Sequence, residues 1–192
     1  GESIWRKFVP FAESIVIKVP NAGAAFAWHQ DGSLKTGPLP ERGVNFGIYL
    51  HASDTDNGCL HVLPGSHRRG RIDLEALVEK CGHLPGALPV AAEPGDVVVY
   101  SRNLAQGSFA NASPDLRVTV YFGYHARQTV EGIYAPEHIR QRMQVIPLAI
   151  GRRVASGLYV DEAPYSYRPL SDTGELGAAA QQQILRASPL AV

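Results

Sequence analysis

The residues whose types and spacing could do chemistry are His29 and Asp31 in Trp28-His29-Gln30-Asp31. An imidazole and a carboxylate at i and i+2 share a face where a strand opens into a loop, so both can close on one metal ion from the same side. A His-x-Asp triplet is weak by itself: seven histidines and eight aspartates among 192 residues give about 0.3 of them by chance. Its context raises it. Far downstream, Arg117, Thr119 and Tyr121 alternate with Val118, Val120 and Phe122, so one face of that strand is apolar and the other can line a site. An arginine buried on such a face needs an anion, and a dicarboxylate would supply it.

The elements that would position these residues are short strands punctuated by turns. Residues 14–19, Ser-Ile-Val-Ile-Lys-Val, are β-branched and stop at Pro20, and Ala24 to His29 forms the next extended run. Val44 to His51 and Cys59 to Leu63 are joined by Asp54-Thr55-Asp56-Asn57-Gly58, a turn rich in residues that tolerate left-handed geometry, which predicts a hairpin. Leu74 to Lys80 has helical spacing with Asp73 as N-cap. Val97 to Tyr100 reads as a buried strand after the Glu93-Pro94-Gly95-Asp96 turn, and Leu116 to Tyr124 as another strand. Beyond Pro136 the period changes to that of a helix over 137–153, interrupted near Pro147, and 176–186 carries a short Ala/Gln-rich helical pattern. Several short strands with Gly/Pro turns and one or two helices predict a mainly β antiparallel sandwich or jelly roll, in which strand ends from distant parts of the chain converge.

Length and composition suit one domain over 1–192, with 45% hydrophobic residues for a core. Lys plus Arg and Asp plus Glu both number 18, and the longest basic cluster is Arg68-Arg69-Gly70-Arg71, so no nucleic-acid partner is expected. No membrane-length apolar segment or secretory leader pattern is present, and Cys59 and Cys81 lack metal-type spacing, which points to a reducing, cytoplasmic setting. The first strand pattern begins so early that an N-terminal portion is expected to be missing.

Most other polar residues have structural explanations. Lys18 reads first as a solvated strand lysine. His61 and His67 flank the Pro64-Gly65 turn and are expected to bond to loop backbone. His51, His83, His125 and His138 read as surface or satisfied core groups, and Asp96 as the brace of its own turn.

Lys18-Val19-Pro20, Trp28-His29-Gln30-Asp31, Asn57-Gly58-Cys59-Leu60-His61-Val62-Leu63-Pro64-Gly65-Ser66-His67, Gly95-Asp96-Val97-Val98, Gly107-Ser108 and Arg117 together resemble the phytanoyl-CoA dioxygenase family of iron(II)/2-oxoglutarate oxygenases, from about residue 14 to 125. The resemblance implies a double-stranded β-helix (jelly roll, cupin-like) with flanking helices. It also implies Fe(II) held by two histidines and a carboxylate, 2-oxoglutarate and dioxygen as cosubstrates, and a small organic substrate such as a lipid or specialised metabolite. His29 and Asp31 match the first two iron ligands. Ser108 and Arg117 match the positions that hold the distal carboxylate of 2-oxoglutarate, the arginine through a charge-assisted fork. Phe26 and Lys18 match positions near that pocket. The second ligand histidine falls, by its spacing to Ser108 and Arg117, on Gln106, whose carbonyl oxygen is a harder and weaker ligand for ferrous iron than imidazole. Retention of Asp31 disfavours a halogenase. Two functions stay open: an oxygenase, and a non-catalytic relative that binds a small acid or a partner.

Overall fold

The computed structural model describes residues 8–22, 24–31, 43–81 and 83–157. Within them run β1 (Phe8–Lys18), β2 (Phe26–His29), β3 (Gly43–Tyr49), β4 (Leu60–Val62), α1 (Leu74–Cys81), β5 (Leu88–Val90), β6 (Val97–Ser101), β7 (Gln106–Ser108), β8 (Arg117–Ala126), α2 (Arg127–Glu131), α3 (Pro136–Met143) and α4 (Val145–Ser156). The strands form two four-stranded sheets, ordered β1-β8-β3-β6 and β2-β7-β4-β5. β3 with β6, β2 with β7, and β4 with both β5 and β7 pair antiparallel. This is the mainly β, cupin-like jelly roll that the sequence predicts.

Contacts divide the chain into two compact units, and 12–124 form one of them. In its first sheet, the strand faces turned toward the interior are largely polar or glycine, with Ala12 and Val16 of β1 among the apolar exceptions. On β3, Gly43, Asn45, Gly47 and Tyr49 are buried and alternate with half-buried Val44, Phe46 and Ile48. Gly47 is small for a reason: a Cβ there would stand 2.8 Å from Tyr121 Cε1. The apolar core of this unit lies elsewhere. Leu63, Leu74, Leu84 and Ala105 form it, with Trp28, Ile72, Leu77 and Val78 packed against them. α1 contributes its Leu74-Leu77-Val78 stripe, and Asp73 Oδ1 caps it by accepting from the Ala76 amide at 3.1 Å.

The other unit contains 8–11 and 125–157 among the described residues. Val9, Val130, Ile139 and Met143 form its core, with Phe11 against them. Ile139 and Met143 are therefore on the buried side of the helix, as their spacing predicts.

Three expectations change. The segments at 44–51 and 59–63 do not form a hairpin: β3 and β4 belong to different sheets. The Asp54–Gly58 turn is real, with Asp54 Oδ1 accepting from the amides of Asp56 and Asn57, but it carries the chain from one sheet to the other. The helix over 137–153 breaks at Gln144, whose backbone is the C-cap of α3, and Pro147 sits in the first turn of α4, where its missing N–H costs no helical bond. β1 starts six residues before the predicted strand, while β5, β7 and α2 were not expected, being too short to give a period. The helix predicted at 176–186 lies outside the described residues.

Candidate active site

β2 and β7 place the first two groups. Phe26 pairs with Ser108 and His29 with Gln106, and the register slips by one residue between them. Strict alternation would put Phe26 and His29 on opposite faces; the bulge lets both line the same cavity, while Trp28 turns to the core. Gly107 allows the close approach of the two strands, since a Cβ there would meet Trp28 Cδ2 at 3.1 Å and the Phe26 carbonyl at 3.2 Å.

The cavity, about 310 Å³, lies between the two sheets of the 12–124 unit. Phe26, His29, Asp31, Gln106, Ser108 and Arg117 all line it. The six predicted lining residues, drawn from positions ninety-one residues apart, thus converge. None of the other histidines lines it.

At one end, His29 Nε2 is 3.2 Å from Asp31 Oδ1. His29 Nδ1–H donates to the Ala27 carbonyl at 2.7 Å, which orients the ring so that Nε2 faces Asp31, to which it donates when the imidazole is protonated. Asp31 Oδ2 accepts from Asn45 Nδ2 at 2.6 Å and from Gln106 Nε2. Asn45 Oδ1 accepts in turn from Arg102 Nη1 at 2.9 Å, and Arg102 Nη2 donates to the Asp31 backbone carbonyl at 3.2 Å. The hydrogen bond to Asp31 pushes the His29 imidazole above its ordinary range, against the opposing effect of burial. Burial pushes the Asp31 carboxyl up, but His29, Arg102 and Asn45 outweigh it and hold it below the usual carboxylate range.

At the other end, Arg117 is 1% exposed. Its Nη1 donates to Ser53 Oγ at 3.3 Å, and its Nε is buried without a hydrogen-bond partner among the described residues. Lys18 is also 1% exposed, which corrects the reading of a solvated strand lysine: the first strand points it inward, beside the cavity. Its Nζ donates to Ser108 Oγ at 2.7 Å and to the Phe109 carbonyl, and lies 5.5 Å from the centre of the Phe26 ring. Burial lowers the ammonium to about 8, with the Arg117 charge adding to the effect, so it remains mostly charged at neutral pH.

These groups can be matched to two guests. A buried guanidinium with an orphaned N–H, beside an ammonium and a serine hydroxyl, fits a carboxylate. For a metal, two donors 3.2 Å apart match neighbouring corners of an octahedron, whose edge is about 3 Å for bonds of about 2.1 Å. The third position is occupied by the Gln106 carboxamide; among the described residues no three His, Cys, Asp or Glu side chains cluster. The set therefore fits a divalent ion through one imidazole, one carboxylate and one amide oxygen, the last requiring the Gln106 amide to turn its oxygen inward.

Sequence reasoning missed Asn45, Tyr100 and Arg102, which also line the cavity, whereas Tyr121, on the face of β8 expected to line a site, does line it. Asn45 was findable, because it shares the inward period of Gly43, Gly47 and Tyr49. Arg102 follows the end of β6 in a turn and leaves no periodic signal.

The jelly roll has solved counterparts. EctD from Sphingopyxis alaskensis, in a structure with 2-oxoglutarate and 5-hydroxyectoine, superposes with a TM-score of 0.55 at 27% identity, covering 64% of this chain and 46% of that one. The family model described as phytanoyl-CoA dioxygenase (PhyH) matches residues 5–119, and the chain belongs to that family. Among curated relatives, 2-aminoethylphosphonate dioxygenase of an uncultured bacterium is 27% identical over 150 residues, 77% of this chain and 56% of its own length. Ectoine dioxygenase of Sphingopyxis alaskensis is 28% identical over 129 residues, 54% of this chain and 42% of its own. The chain thus spans about half the length of these relatives. No helix among the described residues is long and apolar enough to cross a membrane.

Proposed function

We propose that this protein is an iron(II)/2-oxoglutarate-dependent dioxygenase that oxidises a small organic substrate. The observation that carries the reading is the placement, in one cavity, of the His29–Asp31 pair and the buried Arg117 whose Nε has no partner among the described residues. His29 Nε2, an Asp31 oxygen and Gln106 Oε1 would hold the iron. Arg117 would fork onto the distal carboxylate of 2-oxoglutarate, with Ser108 and Lys18 beside it and the Phe26 ring against its carbon chain. Iron with 2-oxoglutarate supplies dioxygen-dependent oxidation of a C–H bond, coupled to conversion of the cosubstrate to succinate and carbon dioxide.

The chain's own residues bind, orient and exclude water. The Ala27 carbonyl keeps the His29 ring in the tautomer a metal requires. Asn45 occupies the second Asp31 oxygen, which leaves the first to turn toward the ion. The two relatives are named for small polar molecules, 2-aminoethylphosphonate and ectoine, and a 310 Å³ cavity suits a guest of that size beside the cosubstrate.

Mixing the protein with ferrous iron and 2-oxoglutarate without oxygen should produce a visible charge-transfer band, and admitting air should release succinate. Absence of both band and succinate would reject the oxygenase reading in favour of a non-catalytic acid-binding domain.

A further inference from the structure

We propose that Arg102 is a specificity-determining anion clamp: the primary substrate carries a carboxylate, phosphonate or phosphate monoester that this guanidinium binds. The inference rests on the oxygenase reading above and names the substrate class of the same site.

Arg102 lines the cavity beside Asp31 and Asn45. Its two acceptors, the Asn45 amide oxygen and the Asp31 backbone carbonyl, are both neutral. A guanidinium offers five N–H donors, and the remaining ones have no partner among the described residues. The side chain lies in a slot that only glycine leaves: a Cβ on Gly43 would fall 2.3 Å from Arg102 Cδ, and one on Gly123 would fall 2.9 Å from its Nη1. The backbone of β3 and β8 therefore fixes where this charge stands, at the His29–Asp31 end and away from the groups assigned to the cosubstrate.

The charge balance asks for an anion. Arg102, Arg117 and Lys18 are cations in or beside the cavity, and among the described residues Asp31 is the one carboxylate lining it. Burial pushes the phenols of Tyr100 and Tyr121 up, so neither supplies negative charge at neutral pH. Ferrous iron and 2-oxoglutarate cancel each other, and the loaded site keeps an excess of positive charge. A partly buried cationic excess beside unused N–H donors recruits an oxyanion; a neutral substrate would offer the remaining Arg102 N–H groups no charged acceptor.

The test is a ligand-observed NMR titration of the full chain, loaded with Mn(II) and 2-oxoglutarate, using butyrate, methylphosphonate and the neutral isostere butyramide. Butyrate and methylphosphonate should bind at least tenfold more tightly than butyramide. Arg102→Gln should abolish that preference, Arg102→Lys should retain part of it, and Arg117→Met should leave it in place while weakening 2-oxoglutarate. A lesion that merely loosens the site would weaken butyramide equally. The proposal is overturned if the parent does not prefer the oxyanions, if Arg102→Gln weakens all three probes alike, or if the preference is lost in Arg117→Met and kept in Arg102→Gln. Failure of the oxygenase reading is seen separately, as no succinate, and an oxyanion preference that depends on Arg102 would outlive it.

Discussion

Gln106 is the residue on which the metal chemistry turns. It is 4% exposed and opposes His29 across the β2–β7 ladder, where an imidazole would make a stronger donor than a carboxamide. Its amide nitrogen donates to Asp31 Oδ2, a bond the carboxamide gives up when it turns its oxygen toward a metal, while Asp31 Oδ1 faces His29. Gln106→His should raise Mn(II) affinity about tenfold or more, measured by competition with a chromophoric chelator; equal affinities would show that residue 106 does not reach the ion. The His29–Asp31 pair makes a pH prediction for the metal-free protein. The stabilisation from His29 is full below the ordinary value of 6.5 and is lost as pH rises through its raised value. That from Asp31 is full above 3.8 and is lost as pH falls through its lowered value. Both are present at about pH 5.5, and the His29 share is lost on the alkaline side of its raised value, so Asp31→Asn should lower Tm more at the acid condition than at the alkaline one. A difference independent of pH would mean that the pair is not coupled in solution. Arg117 was legible in the sequence because it sits on a strand whose period gives its direction, and His29 and Asp31 because their i, i+2 spacing falls where β2 opens into a turn, within a motif that resembles a known one. Arg102 was not, because a turn residue's direction depends on backbone that period does not describe.

At the scale of elements, the site depends on a bulge and on a crossover. The one-residue slip in β2 brings Phe26 and His29 to one face, and no composition signal marks it, since Phe26-Ala27-Trp28-His29 reads as plain strand. The Asp54–Gly58 segment has turn chemistry that a sequence displays clearly, yet turn chemistry is local and does not say which sheet the next strand joins. What decides it is packing around Gly58, whose φ is +74° and whose added Cβ would stand 2.4 Å from the Phe109 carbonyl oxygen. The turn is pressed against the chain that follows β7. Gly58→Ala should therefore cost about 2–4 kcal/mol, combining left-handed strain with a backbone clash. Gly65→Ala has comparable φ, +76°, with no atom within 4 Å, and should cost about 1–2 kcal/mol from strain alone. Urea denaturation of the two variants compares them, and equal losses would remove the packing argument.

At the scale of the whole molecule, the first sheet turns its polar side inward: Arg117 and Lys18 are among the most deeply buried side chains, whereas Val97 and Val99 on the other face of β6 are about half exposed. Such an interior is stable only with counter-groups. Filling it with 2-oxoglutarate at about a hundred times Kd should add about 2.7 kcal/mol and raise Tm by about 5–10 °C, read by differential scanning fluorimetry. Arg117→Met should lose that shift while its ligand-free form is no less stable, since a buried, incompletely bonded charge has been removed. A ligand shift that survives in Arg117→Met would place the carboxylate elsewhere. Between the two residues at the His29–Asp31 end stands Gln30, 3% exposed, which donates to the carbonyls of Gly70 and Asn103 and accepts from the Ile72 amide. The basic loop near residue 70 is thus moored to the backbone between His29 and Asp31. The Ile72 amide donates to Gln30, so slow deuterium uptake there would report, from outside the cavity, how long the mooring between the two side chains holds. A relative's loop transplanted there without the mooring glutamine would import new contacts and a misaligned pair together.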